Sequence, residues 1–99
     1  MTKKLMSCPN VICTVRIFQD LKGKVCVEAN AQYVPKRSYS TKSSHRILFR
    51  VKRNGFMQKE QARALAKTLE CDLMEWVEES GAIRVGAVEY KEFWGCIGD

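Results

Sequence analysis

The chain has one histidine, no Cys-x-x-C pair and no apolar run approaching the roughly 18 residues of a membrane span. Each absence removes a class of function. A zinc site wants four ligands at tight, paired spacing. His45 alone cannot complete such a set, and the five cysteines at 8, 13, 26, 71 and 96 are odd in number and scattered. The expectation is reduced, mostly buried thiols rather than metal ligands or disulfides. No G-x-x-x-x-G-K, H-E-x-x-H or paired-carboxylate signature occurs, and His45 has no Ser or Cys partner in a recognisable motif. The reading is therefore not an enzyme, with no catalytic residue, no metal and no cofactor. The opening MTKKLMSCPNV has lysines but no apolar segment long enough for secretion, so a cytoplasmic protein without membrane contact is expected.

Internal repeats and long low-complexity tracts are also missing. With 99 residues, 45% of them hydrophobic and 28% charged, the chain reads as one globular domain over 1–99. Residues 1–9 form a loose lead-in, and 35–44 form a basic polar loop.

Charge is what the chain does have. The net charge is +6, unevenly placed: +3 over 1–35, +9 over 36–67 and −6 over 68–99. A basic middle invites polyanions, and the acidic last third repels them.

VICTVRIF, 11–18, alternates, with Val11, Cys13, Val15 and Ile17 on one side and Ile12, Thr14, Arg16 and Phe18 on the other. DLKG, 20–23, reads as a hairpin turn with Gly23 free to take positive φ. KVCVEANAQYV, 24–34, alternates again, so the two runs make a β-hairpin. HRILFRVKRNGF, 45–56, supplies a third strand with Ile47, Phe49 and Val51 inward, and Arg46, Leu48, Arg50 and Lys52 outward. Asn54-Gly55 favours a tight turn with positive φ. From Met57 to Ser80 the period changes to three and four, through Ala62, Leu65, Ala66, Leu69, Leu73, Trp76 and Val77, which predicts an amphipathic helix stopped by Gly81. AIRVGAVEYKEFW, 82–94, predicts a fourth strand with a bulge at Gly86. The fold class is α+β: an antiparallel sheet of three to four strands on one amphipathic helix, in the order β-β-β-α-β. Val25, Val27, Phe49 and Val51 pack against Leu65, Leu69 and Trp76.

That packing leaves the second sheet face to solvent or a partner. A meander puts Arg16, Lys24, Asn30, Gln32, Arg46, Arg50 and Lys52 there, with Ile12, Phe18 and Leu48 among them. Arg and Lys neutralise phosphates, and Arg pairs bidentately with them. A purely solvated face has little use for the apolar residues. The loop adds Lys36, Arg37 and Lys42 beside Tyr39, a grouping able to grip a backbone and stack a base. The first helical turns add Lys59, Arg63 and Lys67, which together with Arg53 could hold a phosphate near the helix N-terminus. The candidate nucleic-acid contacts are thus Arg16, Lys36, Arg37, Lys42, Arg46, Arg50, Lys52, Arg53, Lys59 and Arg63. The helix runs from a basic start to an acidic end at Glu70, Asp72, Glu75, Glu78 and Glu79, the reverse of what its dipole prefers. Those acids either pair with basic strands or face a basic partner.

FRVKRNGFMQKEQARALA, 49–66, carries Phe49, Val51, Lys52 and Gly55, then Glu60, Ala62 and Ala66. In this it resembles the small DNA-binding domains of the ethylene-response-factor type and the arm-binding N-terminal domains of tyrosine recombinases, over roughly residues 11–80. The resemblance implies contact of the sheet face with the major groove, with Arg16, Arg46, Arg50 and Lys52 at the matching positions. Two features depart from the pattern: a long link between the second and third strands, and a strand after the helix. A strand that joined the sheet would count against groove entry. Two functions follow. One is a small non-enzymatic module that binds DNA or RNA through its basic sheet face. The other is an adaptor or inhibitor, of the kind viruses encode, that docks on a protein or nucleoprotein complex. An edge strand offers a surface for pairing two copies.

Overall fold

The computed structural model describes residues 9–34 and 46–95. The elements are β1 (Asn10–Gln19), β2 (Val25–Tyr33), β3 (Ile47–Gly55), α1 (Lys59–Ser80), β4 (Ile83–Arg84) and β5 (Glu89–Trp94). The fold is α+β. The expected loop over 35–44 lies outside the described residues.

The first hairpin forms as its alternation demands. Asp20 Oδ1 accepts the backbone N–H groups of Lys22 and Lys24 at 2.9 Å, and Gly23 takes φ 92°. This turn sets the β1–β2 register, in which Arg16 faces Glu28 and Phe18 faces Cys26. β3 pairs antiparallel with β2 and continues to Gly55, opposite Val25. The turn expected at Asn54-Gly55 is not made: neither residue has positive φ, because the start of β2 still offers ladder partners there. A register shift opposite Ala31 and Gln32 also breaks the alternation of β3. Ile47 then pairs with Gln32 and is 43% exposed, instead of joining the core with Phe49 and Val51.

The helix starts where Gln61 Oε1 accepts the Gln58 backbone N–H at 3.0 Å, and it ends at Gly81, with φ 83°. Beyond it the sheet differs from the antiparallel meander. It is mixed and, among the described residues, holds five strands. β2 lies between β3 and β1, and the far side of β1 carries β4 and β5 in parallel. The helix supplies the reason. β3 runs parallel to β1 after two antiparallel steps, and the helix returns the chain to the end where β3 began. The next strand in the sheet must run the same way. The single strand expected over 82–94 is split, because Gly86 at φ 76° turns the chain and the register slips by two residues between Val11↔Arg84 and Thr14↔Glu89.

The core lies between the helix and the β1–β2 hairpin. Val11, Cys13, Val15, Ile17, Val25, Val27, Ala29 and Ala31 meet Ala62, Ala66, Leu69 and Leu73, all at most 1% exposed. The alanines on both surfaces let helix and sheet approach closely. Phe49 stacks on Trp76 at a centroid distance of 5.3 Å, extending the core to β3. Cys13 is buried as expected, and that burial pushes its thiol pKa up; Cys26 is half-buried. Cys71, however, is exposed, because it falls on the solvent side of α1. Among the described residues, no helix is long and apolar enough to cross a membrane.

Candidate nucleic-acid interface

The sheet face turned away from α1 is built in cross-strand rows. Side chains alternate along a strand, so residues paired across neighbouring strands share a face. One row reads Lys91, Arg16, Glu28, Lys52 from β5 to β3. The row on one side of it reads Phe93, Phe18, Cys26, Asn54. The row on the other side reads Glu89, Thr14, Asn30, Arg50.

Glu28 is the centre of this face. Its carboxylate lies 3.5 Å from Arg16 Nη2 and 3.4 Å from Arg50 Nε, and it accepts a hydrogen bond from Asn30 Nδ2 at 3.3 Å. The Glu28 side chain is 10% exposed, whereas Arg16 and Arg50 keep 58% and 47% of theirs in water. One carboxylate thus holds two guanidinium groups at long range and leaves their remaining donors to solvent. Asn30 is buried, and among the described residues its Oδ1 has no hydrogen-bond partner. Such an atom costs about 1–3 kcal/mol.

The cations expected to act together are divided. Arg16, Arg50 and Lys52 share the outer face. Arg46 precedes β3, exposed, with its carbonyl accepting the Tyr33 N–H at 2.7 Å. Arg53 pairs with Val27 on the helix side of β3, and its Nη1 donates to the Lys52 carbonyl at 2.9 Å. Lys36, Arg37 and Lys42, with Tyr39 and His45, lie outside the described residues.

Lys59 and Arg63 are drawn to β5 on the helix side. Arg63 Nε and Nη2 each donate to a Glu92 oxygen at 2.9 Å. Tyr90 Oη and Trp94 Nε1 also donate to Glu92, at 2.6 and 3.0 Å. Lys59 Nζ sits 5.3 Å from the Trp94 ring centroid. The Arg63 hydrogen bonds, helped by Tyr90 and Trp94, hold the Glu92 carboxyl down at about 2. Removal of its hydroxyl from water and the adjacent carboxylate push Tyr90 up to about 12, and the pairing with Glu92 raises Arg63. The cluster ties β5 to α1, and it commits Arg63 to an internal carboxylate.

Lys91, Phe93 and Glu28 belong to the face and were not among the candidates. Glu28 was legible, because the hairpin turn fixes it opposite Arg16. Lys91 and Phe93 become visible once the last strand is laid parallel to β1. Phe18 and Phe93 stack at a centroid distance of 5.7 Å with an interplanar angle of 23°, and they stay 44% and 66% exposed.

On the other side of the molecule, Glu70, Asp72, Glu75 and Glu78 line a shallow acidic concavity with Cys71 and Met74. No ion pair among the described residues uses these four acids. Comparison with protein-family models, curated proteins and solved structures finds no match to this chain.

Proposed function

We propose that the protein is a small, non-enzymatic nucleic-acid-binding module that uses the sheet face opposite its helix. The observation that carries this reading is the row Lys91–Arg16–Glu28–Lys52, three cations to one carboxylate, with Arg50 and Glu89 in the row beside it, four cations to two carboxylates in all. Phosphates are attracted by such a surplus and release counterions on binding. The acidic helix surface lies on the opposite side of the sheet, so it does not oppose a polyanion on this face.

The test is fluorescence anisotropy with labelled DNA and RNA oligonucleotides of mixed sequence. Three phosphate contacts give about a 20- to 40-fold loss of affinity between 50 and 200 mM NaCl. The double variant Arg16→Glu, Lys52→Glu loses binding while keeping its circular-dichroism spectrum and cooperative melting. A folded double variant that binds like the parent protein overturns the reading.

The acids Glu70, Asp72, Glu75 and Glu78, in no ion pair among the described residues, favour one second reading, an adaptor or inhibitor docking on a basic protein surface. Under it, a nuclease-treated complex with one macromolecule persists, and Glu75→Lys, Glu78→Lys disrupts it. A complex that disappears on nuclease treatment refutes it.

A further inference from the structure

We infer that the occupant of the sheet face is an unpaired nucleic-acid strand, with bases stacked on Phe18 and Phe93 and phosphates over Arg16, Lys91 and Lys52. The inference rests on the nucleic-acid reading above and narrows it to a substrate class.

The width of the sheet excludes the duplex major groove. Strands lie about 4.8 Å apart, so the face from β5 to β3 spans about 14 Å between its outer strand axes. The major groove is about 12 Å wide and admits a helix or a two-stranded ribbon. β5 joins the sheet along six residue pairs, Thr14↔Glu89 to Gln19↔Trp94, and so makes the face too broad.

The chemistry of the face matches a single strand. Surface phenylalanines are ordinary when isolated. Here two of them stack on adjacent strands in the solvent-facing layer, and Leu21, 81% exposed, borders them at the hairpin turn. Concavities open on both sides of the pair. One is lined by Asp20, Leu21, Lys22 and Gly95, the other by Arg16, Lys91 and Glu92, whose carboxylate is held by Arg63 on the helix side. The row of cations follows two residues along each strand, about 7 Å from the rings. One pair of apolar rings therefore stands beside one row of mainly positive charge, as a base stands beside its phosphate in a nucleotide. Stacking is tolerant of sequence because every base has a π-face. Bases paired within a duplex cannot reach the rings without unstacking.

The test uses the full chain with fluorescein-labelled 15-mers of oligo-dT and oligo-U and a 15-bp mixed-sequence duplex. Anisotropy is read from 50 to 200 mM NaCl. Both single strands bind at least about 10-fold tighter than the duplex. Replacing both rings, Phe18→Leu with Phe93→Leu, keeps apolar area but removes the π-faces. It weakens single-strand binding by about 5- to 150-fold, the loss of at least one stacked base, with the salt slope unchanged. Arg16→Gln and Lys91→Gln each make that slope shallower by about 0.7. Thermal melting confirms that each variant folds. Duplex binding as tight as single-strand binding, or leucine variants that bind like the parent, overturns the inference and leaves the basic-face reading standing. Binding to none of the three probes at 50 mM NaCl overturns both.

Discussion

Glu28→Gln separates stability from binding on the basic face. The carboxylate holds Arg16 at 3.5 Å and Arg50 at 3.4 Å. The amide is nearly isosteric and can still accept from Asn30, so the change removes charge with little change of shape. Both arginines are about half in water, so each ion pair contributes about 0.2–1 kcal/mol. The two together set a loss of about 0.4–2 kcal/mol. Relief from holding a carboxylate only 10% exposed favours the lower part of that range. For a chain of this size, 1 kcal/mol shifts Tm by about 4–8 °C, so a fall of several degrees is expected. Affinity moves the other way. A phosphate about 4 Å from the carboxylate meets about 1 kcal/mol of repulsion even at the dielectric constant of water, and removing it strengthens binding about fivefold. Each freed arginine that takes a phosphate also steepens the salt slope by about 0.7–0.9. Differential scanning fluorimetry and anisotropy titrations on the same preparations read both quantities. Weaker nucleic-acid binding by a variant that still melts cooperatively refutes the assignment of this face.

Other parts of the molecule give further expectations. Glu92 titrates from an ordinary 4.5 when unfolded to about 2 when folded, so its contribution is complete above 4.5 and is lost as pH falls toward 2. Glu92→Gln should flatten that acid limb of Tm against pH; an unchanged limb would show that the Arg63 pairing carries no stability. Leu69→Ala empties a site 1% exposed beneath the sheet and should cost about 2–5 kcal/mol in urea unfolding. Gly81→Ala places a side chain at φ 83° and should cost about 1–2 kcal/mol; a neutral result would mean that the helix stop relaxes. A Cβ on Gly95 would collide with the Gln19 carbonyl oxygen, so Gly95→Ala should loosen the end of β5, visible as faster hydrogen exchange at Phe93 and Trp94.

Local periodicity made most of the architecture legible. Alternation placed Val11, Cys13, Val15 and Ile17 inward, and the three-and-four spacing placed Ala62, Ala66, Leu69 and Leu73 against them. Local pattern failed where partners are distant in the chain. Arg63 and Glu92 are 29 residues apart, and nothing near either one announces the other. The displacement of Ile47 depends on a register shift in a neighbouring strand, which alternation within β3 cannot report. The parallel course of β5 was available as logic rather than as pattern, since a helix between two strands of one sheet returns the chain to the same end. Without that step Phe93 had no place beside Phe18, and the aromatic half of the face stayed hidden.

The parallel pairing of β1 with β5 has a consequence during synthesis. Thr14 meets Glu89 across 75 residues of chain. At about 5–20 residues per second, roughly 4–15 s separate the emergence of the two strands from a ribosome. The β1–β2 hairpin can close early, but one side of β1 stays an open strand edge through that interval, carrying Phe18 beside Ile17. Such an edge templates pairing with other chains. Contacts this long in range also slow the final closure of a sheet. The nascent protein therefore keeps this one edge open to aggregation until β5 arrives, after α1 has already covered the apolar face of the hairpin.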